Sequence, residues 1–200
     1  MKKIGAEPSH MQSDGTPFYG VPAIIDDSNG KVVSDSMRIA EYLDDTYPDR
    51  PLLFPFSSRA PIYLFNSHLM SACVMPMVTL FIALTPPILG DSGEFYRKKQ
   101  EARWNVNFET VIKEKKVELL ETGKEAWSKL AVILGKNGPD APFFYGRVPS
   151  YADLIVVAFL LWMKVILGSD NVEWKQILEW DGGRWAKMLQ DTQEFWPEVI

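Results

Sequence analysis

Two hundred residues, 46% of them hydrophobic, suffice to bury one large core or two smaller ones, and a net charge of −5 with no basic stripe argues against a nucleic-acid partner. The single cysteine, Cys73, excludes an intrachain disulfide and fits a reducing compartment, while His10 and His68 have no cysteine or carboxylate at metal-ligand spacing, so no metal is expected. Lys2 and Lys3 are followed by no apolar run, which excludes a secretory signal.

From Glu7 to Pro17 the chain is polar and carries Pro8, Gly15 and Pro17, the pattern of a loop. Val21 to Ser36 then reads as strand, tight turn, strand and helix start. Asn29-Gly30 tolerates the positive φ angles of a two-residue hairpin turn, and aliphatic or β-branched residues flank it. Ser34-Asp35-Ser36 supplies short polar side chains for a helix N-terminus, and Ile39, Ala40, Leu43 and Tyr47 recur at helical spacing, predicting a helix from about Ser36 to Tyr47. The first amides of such a helix lack intrahelical partners and sit at the positive end of its dipole, so they can bind a carboxylate. Polar residues at a helix start are more often simple caps.

Strand signals stop at Val33, and Pro48-Asp49-Arg50-Pro51 followed by Leu52-Leu53-Phe54-Pro55 forms a stiff connector into an entirely helical remainder. A helix is predicted from Ala60 to about Leu84, with a kink or break at Pro76 and with Met70, Met75 and Met77 as irregular core fillers. Pro86, Pro87, Gly90 and Gly93 predict a loop. Glu94 to about Leu134 predicts one or two helices with a bend at Gly123, and Arg97, Lys98, Lys99, Glu101 and Arg103 read as a solvated face rather than an anion site.

After a Gly- and Pro-rich connector over Gly135 to Pro149, Ser150-Tyr151-Ala152-Asp153 forms an acidic capping box ahead of the apolar run Leu154 to Met163. That run is about half a membrane span and is bracketed by Asp153 and Lys164, so the helix to about Leu167 is read as buried in protein and no transmembrane segment is expected. The 171–200 segment predicts two short helices broken at Gly182-Gly183, with Trp174, Trp180, Trp185 and Trp196 as packing surfaces.

Val21-Pro22 about a dozen residues ahead of Asp35-Ser36, together with Ser150-x-x-Asp153 far downstream, resembles the glutathione transferase family, and the resemblance covers nearly the whole chain. Ile39-Ala40-Glu41-Tyr42-Leu43, Tyr47-Pro48-Asp49 and Lys2-Lys3-Ile4-Gly5 are most similar to the fungal etherase-related members, which resemble bacterial β-aryl-etherases. The resemblance implies an α/β plus all-α chain: a partial thioredoxin-like glutathione-binding domain over residues 1–55 and an all-helical domain over 56–200. It implies a cis bond before Pro22, backbone pairing of Val21 with the cysteinyl group of glutathione, and Asp35 with Ser36 at the γ-glutamyl end. Glutathione is then the co-substrate, with apolar aromatic electrophiles, aryl ethers as candidates, in an interdomain cleft lined by some of the methionines. A cytoplasmic, detoxifying homodimer follows from the same resemblance, as does the alternative of a non-catalytic carrier of aromatic compounds.

A complete member of the family opens with a strand, a helix and a second strand, and places its catalytic Ser, Cys or Tyr at the start of that helix. No such segment is recognised here, so no catalytic residue is assigned; Ser36 matches a cofactor-binding position and Tyr19 does not open a helix. The strand from Val21 to Asp26 is expected to present an open apolar edge, covered by a partner chain, a swapped domain or an upstream segment, unless this is a shortened form of the chain.

Overall fold

In the computed structural model, which describes residues 1–12 and 14–195, Met1 leads into a single 3-10 turn over Lys2–Ile4. The stretch expected to be loop contains a short hairpin instead: β1 (His10–Met11) pairs antiparallel with β2 (Pro17–Phe18). Asp14 causes it, because its carboxylate accepts from both the amide (2.9 Å) and the hydroxyl (2.6 Å) of Thr16 and so folds the turn without help from an apolar core.

β3 (Ala23–Asp26) and β4 (Lys31–Ser34) form a second antiparallel pair, with Ala23 opposite Ser34 and Asp26 opposite Lys31. The predicted two-residue turn is a four-residue one. Only Gly30 takes a positive φ, 73°, and its amide donates to the Asp26 carbonyl at 2.7 Å. Capture of the Ser28 amide by the Asp26 carboxylate at 2.9 Å widens the loop, and the Asn29 side chain accepts from Lys31 N at 2.8 Å. Among the described residues β3 pairs only with β4, and Ile25 on it is 51% exposed.

Helix α1 (Ser36–Thr46) buries Met37 and Ala40, while Leu43 and Tyr47 lie at the surface. Its Asp44 carboxylate accepts from the amides of Leu53 (2.9 Å) and Phe54 (2.8 Å), which folds the connector back onto the helix end. These elements belong to the first of two compact units, Met1–Arg59, and the remainder, Ala60–Ile200, is the second.

The second unit is helical. α2 (Arg59–His68) runs through widened π-type turns over Leu69–Val74 into α3 (Met75–Leu84). Pro76 explains the irregularity: it has no amide for the carbonyl four residues back and its ring crowds that carbonyl, so the turn ahead of it opens. Met77 is fully buried, Met70 half-buried and Met75 exposed, so the three methionines do not form one surface. The run Arg59–Leu84 is long and apolar enough to cross a bilayer by length and composition, unlike the helix weighed from the sequence. Ile62, Leu69, Met77, Leu80 and Phe81 on it are shut off from solvent in the protein core, while Tyr63, Leu64 and Met75 are exposed.

Pro86–Ser92 forms 3-10 turns rather than open loop and feeds α4 (Gly93–Trp104). The chain reverses at Asn105 in the left-handed region, restarts as α5 (Phe108–Thr110) under an Asn107 cap, and continues into α6 (Lys116–Leu134). Gly123 does not bend α6. It is buried where a Cβ would sit 2.7 Å from Met77 Sδ, so its role is close packing of α6 on α3.

α7 (Tyr151–Leu167) starts at Ser150 with both capping-box bonds formed, and α8 (Val172–Asp191) consists of two straight pieces broken at Trp180–Gly183, where Asp181, Gly182 and Gly183 all take positive φ. Trp127 and Trp185 meet edge to face, ring centres 4.9 Å apart, in the middle of this core. Trp196 lies outside the described residues. Cys73 is buried, and desolvation pushes its thiol up to about 11, so it is protonated and unreactive at neutral pH.

Candidate functional site

Two motifs distant in sequence meet where β4 turns into α1. Asp35 holds a φ of 80° and a ψ of 128°, an uncommon conformation for a residue with a side chain. In that pose its amide points away from the helix and donates to the Pro22 carbonyl at 3.2 Å. Its side chain turns the other way, where Oδ1 accepts from Met37 N at 3.0 Å and Arg38 N at 3.2 Å. One residue therefore ties the loop ahead of β3 to the start of α1 and caps the helix as well.

The peptide between Val21 and Pro22 is cis, as the resemblance implied. Val21 is 86% exposed and Pro22 is at the surface, which leaves both open to a ligand. Ser36 is exposed too, and among the described residues its hydroxyl has no hydrogen-bond partner. Val21, Pro22, Asp35 and Ser36 thus form one surface group: an exposed extended segment beside the positive end of a helix dipole, with a hydroxyl and an acidic side chain at the junction. With the Met37 and Arg38 amides taken by Asp35, such a group can meet the carboxylate of a peptide with the Ser36 amide and hydroxyl and its backbone along the exposed segment.

The surroundings fix this junction in ways the sequence did not announce. The buried Ser34 hydroxyl donates to the Glu7 carbonyl at 2.6 Å, and Arg38 Nη1 donates to the Pro8 carbonyl at 3.3 Å, so the N-terminal stretch is strapped across the end of β4 and the first turn of α1. On the far side of the hairpin, the Asp26 carboxylate accepts from Ser28, Tyr42 and Tyr47, the Tyr47 hydroxyl at 2.7 Å. The Ser28 hydroxyl, then the two tyrosine hydroxyls, hold the Asp26 carboxyl well below the ordinary carboxylate range. Apart from Ser28, which stands two residues from Asp26, the partners in both sets lie 16 to 30 residues apart, so spacing does not reveal them.

In the helical unit, the Asp153 carboxylate accepts from the Ser150 amide at 2.8 Å and from the Phe144 amide at 2.8 Å. Burial raises its pKa against the pull of these bonds. This is a scaffold device that sets the start of α7. Among the described residues no group of three or more His, Cys, Asp or Glu side chains is arranged to hold a metal.

Residues 60–195 match the family model of the glutathione S-transferase C-terminal domain, and residues 4–51 match that of the glutathione S-transferase N-terminal domain. The chain is similar to the glutathione S-transferase-like protein ustS of Aspergillus flavus, 29% identical over 193 residues that cover 90% of this chain and 68% of the relative. It is 36% identical to the glutathione S-transferase CsGST63524 of Ceriporiopsis subvermispora, solved in complex with glutathione, with a TM-score of 0.89 over 100% of this chain and 79% of that one. CsGST83044 of the same fungus, likewise solved with glutathione, is 33% identical with a TM-score of 0.89 over 97% of this chain and 79% of that one.

Proposed function

Since the chain belongs to the glutathione S-transferase family, with a small thioredoxin-like unit followed by an all-helical one, we propose that the group at Val21, Pro22, Asp35 and Ser36 binds glutathione as co-substrate. The observation that carries this reading is the Asp35 amide bond to the Pro22 carbonyl at 3.2 Å, which makes the cis-proline loop and the helix start a single surface. The γ-glutamyl carboxylate takes the Ser36 amide and hydroxyl, since the Met37 and Arg38 amides already donate to Asp35 Oδ1, and Asp35 keeps its other carboxylate oxygen for the α-amino group. Val21 offers its peptide groups to the cysteinyl residue. The glutathione-bound state of the two Ceriporiopsis proteins supports this assignment.

Glutathione bound this way presents a thiol whose reactive form is the thiolate, and transfer consists of thiolate attack on an electrophilic carbon with departure of the group it carried. Apolar aromatic electrophiles, aryl ethers among them, are the proposed acceptors, a reading that rests on the likeness of residues 39–49 to etherase-related members. Calorimetric titration of the full chain with glutathione tests the site. Ser36→Ala is expected to weaken binding by about 1 to 3 kcal/mol, and Asp35→Asn, which keeps the helix cap, by a similar amount. Unchanged affinity in both variants removes these residues from the site.

A further inference from the structure

Arg184, at the start of the second piece of α8, carries a charge whose hydrogen-bonding capacity is unmet. Its Nε and Nη2 are closed to solvent and have no hydrogen-bond partner. Arg184 is half-buried, and a guanidinium stays charged at any ordinary pH, so it cannot relieve its two shielded, unpaired donors by losing a proton. Asp181 and Asp153 are near enough to act on it through the field alone, while their carboxylates hydrogen-bond elsewhere, Asp181 to the Trp185 indole and Asp153 to Ser150 and Phe144.

Beside Arg184 lies a cavity of about 350 Å³, walled by the 135–142 connector on one side and by Lys187, Met188 and Asp191 of α8 on the other. Lys187 is paired with Asp191 at 2.8 Å, so the rim can offer a second cation to a guest that competes for it. The volume falls within the range of small-molecule sites, and the wall residues Gly135, Gly138, Pro139, Ala141 and Pro142 carry no charge of their own.

We propose that this cavity is a site for a small oxyanion, a phosphate or carboxylate group, held by the Arg184 guanidinium and assisted by Lys187. The planar fork of the guanidinium matches two oxygens of such a group, and Arg184 is itself a wall residue of the cavity. All of the site's residues belong to the second unit, and the proposal does not depend on the glutathione reading.

The test uses the full chain with inorganic phosphate as probe, at ionic strength matched with chloride. Phosphate is expected to shift the Arg184 Nε–H resonance in the NMR spectrum in a saturable way and to raise the unfolding temperature. Both effects are expected to persist in Ser36→Ala, and phosphate affinity is expected to fall about tenfold or more in Arg184→Met, the loss of one charge-assisted contact. Lys187→Met is expected to weaken phosphate by a smaller factor while leaving glutathione binding unchanged. An Arg184 resonance that does not move with phosphate overturns the proposal in the unmodified protein, even should Arg184→Met fail to fold. Stabilisation by phosphate that survives Arg184→Met overturns it as well.

Discussion

Gly93 and Gly123 are both buried at positions where a Cβ would collide, yet the two collisions differ in kind. At Gly93 the added carbon would lie 2.3 Å from the Pro86 carbonyl oxygen, a backbone atom fixed by the 3-10 turns. At Gly123 it would lie 2.7 Å from Met77 Sδ, part of a side chain with several rotatable bonds. Gly93→Ala is therefore expected to cost about 1 to 3 kcal/mol, the range for overpacking that forces backbone movement. In Gly123→Ala the strain is partly offset by about 1 kcal/mol of regained helix propensity. Urea unfolding of the two variants checks this, and equal losses would sink the distinction. Read from sequence alone, Gly123 predicts a bend; the reason it is glycine sits on another helix, 46 positions away, where no local pattern can reveal it.

Two carboxylates organise whole elements, and each makes a prediction. Asp26 binds the hairpin loop to α1 through the hydroxyls of Ser28, Tyr42 and Tyr47, and its carboxyl is held below its ordinary value of 3.8. With the folded pKa depressed, the stabilisation from this group is present above the unfolded value and lost as pH falls through the folded one. In the double variant Tyr42→Phe/Tyr47→Phe the Asp26 titration midpoint, followed by carboxyl NMR, is expected to move up toward 3.8; a midpoint that stays put would show that Ser28 alone sets it. Asp153 is a buried cap serving the amides of both Ser150 and Phe144. Asp153→Ala leaves two shielded donors unpaired and is expected to cost about 2 to 4 kcal/mol, against about 1 kcal/mol for Ser150→Ala, by chemical denaturation. The capping box was legible in the sequence because its partners stand three residues apart. The Phe144 bond, which anchors the connector to the helix it precedes, was not.

For the whole molecule, what could be read in advance follows the range of the interactions. The hairpin, the start of α1, the break near Gly182 and the order of mixed and helical units came from local chemistry. The straps from Glu7 and Pro8 came from side chains reaching 27 and 30 residues, which spacing does not reveal. The short β1–β2 pair and the four-residue turn rest on carboxylates that reach only two residues on, Asp14 to Thr16 and Asp26 to Ser28, a local signal that the loop and two-residue-turn expectations left out. A ligand that binds only the folded chain stabilises it, so glutathione at about a hundred times its dissociation constant is expected to add about 2.7 kcal/mol, seen by calorimetry as a higher unfolding temperature. Ser36→Ala is expected to displace that stabilisation to higher glutathione concentration. No stabilisation by glutathione at any concentration would count against the assignment of the site.

The tryptophan pair at the heart of the helical core has an optical corollary. All seven tryptophans lie beyond residue 100, whereas Tyr19, Tyr42 and Tyr47 are the fluorescent side chains of the first unit. Excitation at the red edge, which selects indole, thus watches the second unit alone, whereas tyrosine emission mixes Tyr19, Tyr42 and Tyr47 of the first unit with Tyr63, Tyr96, Tyr145 and Tyr151 of the second. A change in indole emission is therefore an event of the helical unit, and the unit that holds Asp35 and Ser36 is optically silent at that wavelength.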